Sequence, residues 1–216
     1  MRLRMLVLAA LASFTGASFA SATSVSFTGT FTQDDQLQIF IFTAPTASFS
    51  AETLSYAGGI NAAGDIIAPG GFDPVLSLFD ATGGLTASSP LIAVNDDGAG
   101  VATDPTTGNA FDSLLSISTL DPGQTYALVL SEYDNLAFGP TFGDGFSQVG
   151  NGNFTPAEFG CSGIAFCDAG ADQRNGNWAL DITGVGSAAM PVPEPASLML
   201  LCAGLALVVL LQWRLR

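Results

Sequence analysis

Short apolar runs, each ended by Gly, Pro, Asn or Asp, dominate the middle of this 216-residue chain. Residues 37–42 place Leu37, Ile39 and Ile41 on one face, while residues 125–133 are apolar enough to predict a central, buried strand. Apolar residues do not recur there at the 3.6-residue spacing of a long helix. The pattern therefore predicts an all-β domain rather than a helical one.

The runs predict about eight strands and no long helix. This number suits a single jelly-roll-like β-sandwich. The predicted strands cover residues 25–31, 37–42, 48–56, 72–80, 91–94, 113–120, 125–133 and 178–183. Residues 57–71 are rich in Gly and Ala and offer little side-chain area to bury, so they are predicted to form a loop.

The first 22 residues have the features of a secretory signal peptide. Arg2 and Arg4 precede a short apolar stretch, and small residues follow it up to Ala22. Cleavage after Ala20 or Ala22 would leave a β-sandwich domain at residues 23–186. An uncleaved membrane anchor is the alternative, although the apolar stretch is short for spanning a bilayer.

The C-terminal residues form a second targeting segment. After a predicted linker at 187–195, which ends in Val192, Pro193, Glu194 and Pro195, residues 196–213 carry no charge. A helix of this length spans about 27 Å, close to the thickness of a bilayer core. A transmembrane helix at 196–213 with a basic cytoplasmic tail at 214–216 is therefore predicted, with a buried core helix as the alternative.

The order of these three parts resembles the PEP-CTERM protein-sorting signal of Gram-negative bacteria. The resemblance covers residues 191–216, where a Pro-Glu-Pro tripeptide, an apolar run and a basic end follow one another. It implies processing by an exosortase, a membrane protease, and transfer of the protein to the cell surface or the extracellular space. It indicates where the protein is delivered and does not indicate its molecular function.

Basic residues are almost missing between the two targeting segments. The chain has no His and no Lys, and of its five Arg only Arg174 lies in the middle, against eighteen acidic residues there. Such a surface excludes nucleic acid as a partner, because no basic patch can neutralise phosphates. The absence of His and Lys also excludes Ser-His-Asp and Cys-His catalysis, His-ligated zinc and Schiff-base chemistry.

Acidic and amide side chains on predicted turns are candidate calcium ligands. Calcium prefers six to eight oxygen atoms, including backbone carbonyls. The candidates are Asp73, Asp80, Asn95, Asp96, Asp97 and Asp112. The alternative is that Asn-Asp-Asp-Gly at 95–98 is only a turn in which Asp caps its own backbone.

A second acidic pair, Glu132 and Asp134, lies two residues apart on a predicted strand, so both would point to one face. Such a pair fits a general acid and base, cation ligands or a solvated strand end.

Cys161 and Cys167 are predicted to form a disulfide, since an exported protein folds in an oxidising compartment. The third cysteine, Cys202, lies within the apolar tail. Around the pair, residues 135–176 hold six Phe, which are expected to fasten an extended loop onto the sandwich. A ligand platform is the alternative interpretation. These residues are Phe138, Phe142, Phe146, Phe154, Phe159 and Phe166.

Several segments of the middle resemble the bacterial pre-peptidase C-terminal domain and the DVUA0089 family of exported, PEP-CTERM-tailed proteins. The segments that resemble both families are the Phe-Asp-Pro strand at 72–80, the turn at 95–98, and the turn and strand start at 120–126. Residues 132–135, 152–155 and 176–178 are also similar to the DVUA0089 family. The resemblance covers about residues 27–185. It implies a non-catalytic β-sandwich, in some relatives with bound calcium, and carries no catalytic residue.

Together these features predict a non-enzymatic cell-surface or extracellular-matrix protein, associated with exopolysaccharide or biofilm. A calcium-dependent or carbohydrate-binding module is the alternative function. A hydrolase that uses only carboxylates is a third hypothesis.

Overall fold

The computed structural model describes residues 23–191. The predicted signal peptide, the motif Val192–Pro195, the apolar run 196–213 and the basic end 214–216 lie outside the described residues. The strands are β1 (Thr23–Thr30), β2 (Gln38–Thr43), β3 (Phe49–Thr53), β4 (Gly59–Ile60), β5 (Ile66–Ile67), β6 (Pro74–Asp80), β7 (Leu91–Asn95), β8 (Leu114–Ile117), β9 (Thr125–Glu132), β10 (Asn177–Val185) and β11 (Ser187–Ala189). A short helix, α1 (Thr155–Phe159), and a 3-10 turn (Phe142–Asp144) complete this part of the chain.

Nine strands form two antiparallel sheets, one with the order β1-β10-β3-β8 and one with the order β11-β2-β9-β6-β7. The two-residue strands β4 and β5 form a small hairpin of their own. When β11 and this hairpin are set aside, the remaining eight strands are divided between the sheets in the order found in jelly rolls. The predicted all-β class is confirmed.

The two sheets face each other across an aromatic core. The rings of Phe42 on β2 and Phe49 on β3 stack with centroids 4.7 Å apart, and Phe27 on β1 contacts Phe40 on β2 at 4.9 Å. Each contact joins one sheet to the other. The alternation of side chains along β2 therefore directs its phenylalanines into the sandwich.

The outer face of the five-stranded sheet is also covered. Phe79 on β6 packs there with Ala127 and Val129 of β9. Phe142 and Phe146, from the chain between β9 and β10, contact Phe79 with ring centroids 5.4 Å and 6.2 Å away. Burial on both faces explains why β6 and β9 are largely apolar rather than alternating.

Residues 57–71 are more ordered than the predicted loop. They contain the β4–β5 hairpin, whose tip is held against the four-stranded sheet by backbone donors. The N–H of Ala62 donates to Asp181 at 2.7 Å, and that of Ala63 donates to the Ser26 hydroxyl at 3.1 Å. Side-chain periodicity gave no sign of the hairpin because it is fixed through backbone N–H groups rather than through buried apolar side chains.

The predicted linker at 187–195 begins later than expected. Residues 187–189 form β11, which pairs with the edge of β2 through the partners Ser187–Thr43 and Ala189–Ile41. A strand of three small residues has no apolar alternation to detect, and it exists because β2 offers an unpaired edge.

Candidate functional site

Three of the candidate calcium ligands lie at one end of the five-stranded sheet, together with Glu132 and Asp134. Pro74 pairs with Glu132 and Leu76 pairs with Asn95, so β6 begins at the end where β7 and β9 finish. The chain leaves these strands through short acidic turns. We use the name acidic end for this end of the sheet, where Asp34, Asp35, Asp73, Asp96, Asp97, Glu132 and Asp134 lie.

Three of the predicted calcium ligands come together there. Carboxylate oxygens of Asp73, Asp96 and Asp97 all lie within 4.8 Å of one another, a spacing that one cation can bridge. Asp73 is only 3% exposed, whereas Asp96 is half-buried and Asp97 is exposed. The cluster therefore has a buried floor at Asp73 and an open side at Asp97.

Several carboxylate oxygens at the acidic end are buried without a hydrogen-bond partner. These are Oδ1 of Asp73, Oδ1 of Asp96 and both oxygens of Glu132, whose side chain is fully buried. An ionised carboxylate that is buried without a hydrogen-bond partner has lost its hydration and has no interaction to replace it, which costs several kcal/mol. A proton or a metal ion on the cluster would remove that cost.

Burial raises the pKa values of several carboxyl groups at the acidic end. Burial, reinforced by the neighbouring charges of Asp96 and Asp97, raises the pKa of Asp73 to about 9. Burial and the charge of Asp97 raise the pKa of Asp96 to about 6. Burial also raises the pKa of Glu132 well above its ordinary value, with the charge of Asp73 adding to the effect. The cluster thus holds protons tightly when no cation is bound.

Within residues 23–191, no basic side chain is directed at this cluster. Arg174 is the single basic residue between residues 23 and 191. Its guanidinium donates to Asp104 at 2.7 Å and to the backbone carbonyls of Tyr56 and Gly71, and it stacks on the Tyr56 ring at 3.8 Å. Its donors are thus directed at other groups, and its charge only partly opposes the raised pKa of Glu132.

The other three predicted ligands have different roles. Asp80 lies at the far end of β6 and accepts a 2.8 Å hydrogen bond from the Thr82 N–H within its own turn. Asn95 accepts from the Leu114 N–H at 2.7 Å. Asp80 was predicted with the cluster because a sequence does not show which end of a strand faces which turn, whereas Asn95 does lie at the acidic end, directly before Asp96.

Asp112 is already saturated by the fold. Its two oxygens accept the backbone N–H groups of Ser55, Tyr56 and Ala57 and the hydroxyl of Thr53, at 2.8–3.1 Å. Four donors satisfy this carboxylate, so it stabilises the chain after β3 and is not available as a metal ligand.

Backbone carbonyls also converge beside the cluster. The buried Ser113 hydroxyl lies 2.7 Å from the carbonyl oxygen of Pro74 and 2.9 Å from that of Asn95, and it also contacts the carbonyl of Asp96. One hydroxyl proton cannot satisfy three acceptors. Ser113 therefore fixes the start of β6 against the turn after β7, and it holds the cluster in shape.

Glu132 was left open as a general acid or base, a cation ligand or a solvated strand end, and it was not among the six named candidate ligands. Glu132 is the last residue of β9 and pairs with Pro74. Pro74 directly follows Asp73 in the chain. The position of Glu132 at the end of an apolar strand was the available signal for a buried acid, but the strand pairing was needed to place it beside Asp73.

The Phe-rich region packs against the sandwich. Phe159 of α1 stacks on Tyr133 with centroids 5.8 Å apart, and Phe166 stacks on Phe72 at 5.8 Å. Phe138 is 75% exposed, whereas the other five phenylalanines are buried or half-buried. The region thus presents no row of exposed rings for a ligand. Cys161 and Cys167 are joined in a disulfide beside Phe166.

Residues 191–216 match the PEP-CTERM protein-sorting motif. This confirms the resemblance drawn from the tail, and it supports exosortase-dependent sorting of an exported protein toward the cell surface. No curated protein matches the chain. Within residues 23–191, no helix has both the length and the hydropathy that a membrane crossing requires. The similarity of residues 27–185 to pre-peptidase C-terminal domains remains a prediction.

Proposed function

We propose that this exported, exosortase-sorted chain is a non-enzymatic cell-surface or extracellular-matrix protein whose β-sandwich binds a calcium ion at the acidic end. The observation that carries the calcium proposal is the buried, unpartnered Oδ1 of Asp73 within the cluster that it forms with Asp96 and Asp97. The ion joins the start of β6 to the turn after β7. Its role is to hold that end of the sandwich closed outside the cell.

The donor set favours calcium among biological cations. Asp73, Asp96 and Asp97 offer only oxygen atoms, which suit hard cations rather than zinc or copper. Magnesium demands near-ideal octahedral geometry and keeps most of its water, whereas calcium accepts irregular sites with six to eight oxygens. Carboxylates that differ in depth, from buried Asp73 to exposed Asp97, fit the second description.

Burial argues against catalysis by the acidic pair. Glu132 is fully buried, so a substrate cannot reach the side chain that the hydrolase hypothesis needs. The absence of His and Lys removes other common general bases. Turnover of any polysaccharide that is lost on Glu132→Gln would contradict the non-enzymatic proposal.

Exopolysaccharide is the proposed partner at the cell surface. Sorting through a PEP-CTERM motif delivers the domain to the envelope, and a strongly acidic, calcium-binding domain suits contact with a hydrated matrix there. The alternative is a carbohydrate-binding module with a defined ligand, which a glycan array of the processed protein would reveal as a selective, saturable signal.

Thermal unfolding tests the cation. The chain is melted in calcium and in chelator, with magnesium as the matched control. Calcium should raise the midpoint by several degrees and magnesium should raise it less, since a ligand that binds only the folded state stabilises it. Identical melting midpoints in calcium and in chelator would contradict the calcium proposal.

Mass spectrometry of the surface-exposed protein tests the processing step. Exosortase cleavage near Pro193-Glu194-Pro195 should yield a mature C-terminus that lacks the apolar run. Recovery of a surface protein with Arg216 intact would show that the tail is a permanent anchor instead.

A further inference from the structure

A groove lies on the outer face of the four-stranded sheet, beside the β4–β5 hairpin. Trp178 on β10 packs inward against Phe40, so its neighbours Asn177 and Ala179 face outward. Thr30 on β1 pairs with Asn177 and shares that outward face. Strands β1, β10 and β5 line the groove, whose volume of about 310 Å³ is at the lower end of the range for small-molecule sites, about 300–1,000 Å³.

The hairpin is attached to the sheet on both sides of the groove. At its tip, the backbone N–H of Ala62 donates to Asp181 at 2.7 Å. At its base, the N–H of Asn175 donates to the carbonyl oxygen of Gly70 at 3.0 Å. The groove residues of β10, at 177–179, lie between these two attachments. The wall of the groove is therefore held in place before a ligand arrives, which lowers the entropy cost of binding.

The lining combines an aliphatic wall with polar side chains. Ile66 on β5 is 85% exposed and Ile67 is half-buried. Thr28 and Asn177 are exposed, so their hydroxyl and amide N–H groups are available to a ligand. The Thr30 hydroxyl donates to Oδ1 of Asn177 at 2.9 Å and orients that amide. A sugar ring has apolar C–H faces and a rim of hydroxyl groups, and it matches both parts of this lining.

The groove is uncharged, although the chain around it is strongly acidic. None of its ten lining residues carries a charge, whereas residues 23–191 contain eighteen acidic residues and a single Arg. The field of those acids repels ligands that carry carboxylate or phosphate groups. The groove offers no cation that would pair with such a ligand. The lining therefore favours a neutral ligand.

We propose that this groove binds a short stretch of a neutral polysaccharide, with Thr28 and Asn177 bonded to sugar hydroxyls and Ile66 packed on a sugar ring. The inference rests on the proposed exopolysaccharide contact, and it adds the site and the chemical class of the glycan. Because β1 is an edge strand, no further strand of the described residues closes the groove on that side. A long glycan can thus lie across the groove without threading an end through it.

The groove and the calcium cluster lie on different sheets. The groove is built on β1 and β10, whereas Asp73, Asp96 and Asp97 lie at one end of the five-stranded sheet. Glycan binding should therefore persist in chelator, at a temperature at which the chelated chain remains folded.

Titration of the full-length chain in phosphatidylcholine nanodiscs with soluble polysaccharides tests the groove. The neutral probes are a glucan, a mannan and a galactan, and the anionic probes are alginate and polygalacturonate. Ile66→Ser and Asn177→Ala alter the apolar and the polar side of the groove. Ile164→Ser and Asn151→Ala are matched controls, since Ile164 is 86% exposed and Asn151 is exposed, both outside the groove.

At least one neutral polysaccharide should bind saturably, and the anionic probes should bind more weakly. Each groove variant should weaken binding about fivefold, as expected for the loss of one hydrogen bond or apolar contact, and each control should stay within about twofold. All four variants should keep the melting midpoint of the unaltered chain, because the replaced side chains are exposed.

Binding that is unchanged in both groove variants would overturn the groove and leave the exopolysaccharide contact standing. Binding that is lost when chelator is added to the folded chain would also overturn the groove, since it would assign the contact to the acidic end. Tighter binding of an anionic probe than of every neutral one would overturn the class of glycan. The absence of binding to all five probes would contradict the groove and the exopolysaccharide contact together.

Discussion

The backbone N–H of Tyr133 donates a 2.9 Å hydrogen bond to the backbone carbonyl of Asp73. This bond extends the pairing of β6 and β9 by one step beyond Pro74 and Glu132. It places Asp73 next to the segment that carries Glu132 and Asp134. The stacking of Phe159 on the Tyr133 ring covers the same point from the side of α1. This backbone contact, together with the Ser113 hydroxyl, fixes the geometry of the acidic end.

Replacement of Asp73 separates the stability of the fold from its calcium response. Asp73→Asn removes a buried, unpartnered acid, so the calcium-free chain should keep or gain stability, within about 1 kcal/mol. The calcium-induced rise of the melting midpoint should vanish. At a calcium concentration of 100 Kd, the unaltered chain should gain about 2.7 kcal/mol.

Asp80→Asn is the matched control for this substitution, since Asp80 lies at the other end of the same strand. It should leave the calcium-induced rise unchanged. If Asp73→Asn retained the full rise, Asp73 would not be a ligand.

The calcium-free chain should lose stability as pH rises from about 4 to about 9. The folded-state pKa of Asp73 is about 9 and that of Asp96 is about 6. Unfolded Asp titrates near 4. In that window the folded state binds more protons than the unfolded state, so the free energy of unfolding falls with pH. Saturating calcium should weaken this dependence because the ion replaces the protons.

Urea unfolding at several pH values, in chelator and in calcium, measures this effect. Asp73→Asn should flatten the slope in chelator. A free energy of unfolding that increases with pH across this window in chelator would contradict the raised pKa values.

The sequence predicted the strands better than it predicted the site. Strands such as β9 are continuous in apolar residues because they are buried on both faces, and this is visible in a sequence. Hairpin β4–β5 was missed because its backbone N–H groups donate to side-chain oxygens, as in the bond from Ala62 to Asp181, and β11 was missed because it is held by backbone pairing with β2. Backbone bonds leave little trace in side-chain pattern.

Three of the predicted acidic ligands form one cluster, and the topology of the sheet explains why. Asp73, Asp96 and Asp97 follow or precede strands that share one end of a sheet, whereas Asp80 lies at the other end of β6. The choice between these ends needs the strand order. Asp112 could not be distinguished either, since its four hydrogen-bond donors come from residues 53–57, far from it in sequence.

Removal of the buried cation Arg174 should be strongly destabilising. Arg174→Gln breaks the 2.7 Å ion pair with Asp104 and leaves that carboxylate buried without its partner. Breaking a buried pair in this way costs about 3–5 kcal/mol. Denaturant unfolding measures the loss, with the nearby exposed Asp172→Asn as a control that should change stability by less than about 0.5 kcal/mol. A loss below 1 kcal/mol for Arg174→Gln would show that the pair contributes little.

The disulfide between Cys161 and Cys167 should contribute modestly to stability. The loop it closes is short, with a sequence separation of 6, so the chain-entropy estimate is about 2 kcal/mol. The double variant Cys161→Ser with Cys167→Ser should lose about that amount in urea unfolding. Cys202→Ser, which removes the cysteine of the tail, should lose nothing, and an equal loss in both variants would refute the assignment.

Calorimetric titration of the full chain with calcium tests the central claim most directly. We predict one ion bound per chain, no binding to Asp73→Asn or Asp96→Asn, and unchanged binding to Asp80→Asn and Asp112→Asn variants that remain folded. The absence of binding to the unaltered chain, or binding that survives the combined replacement of Asp73, Asp96 and Asp97 by Asn, would contradict the calcium site.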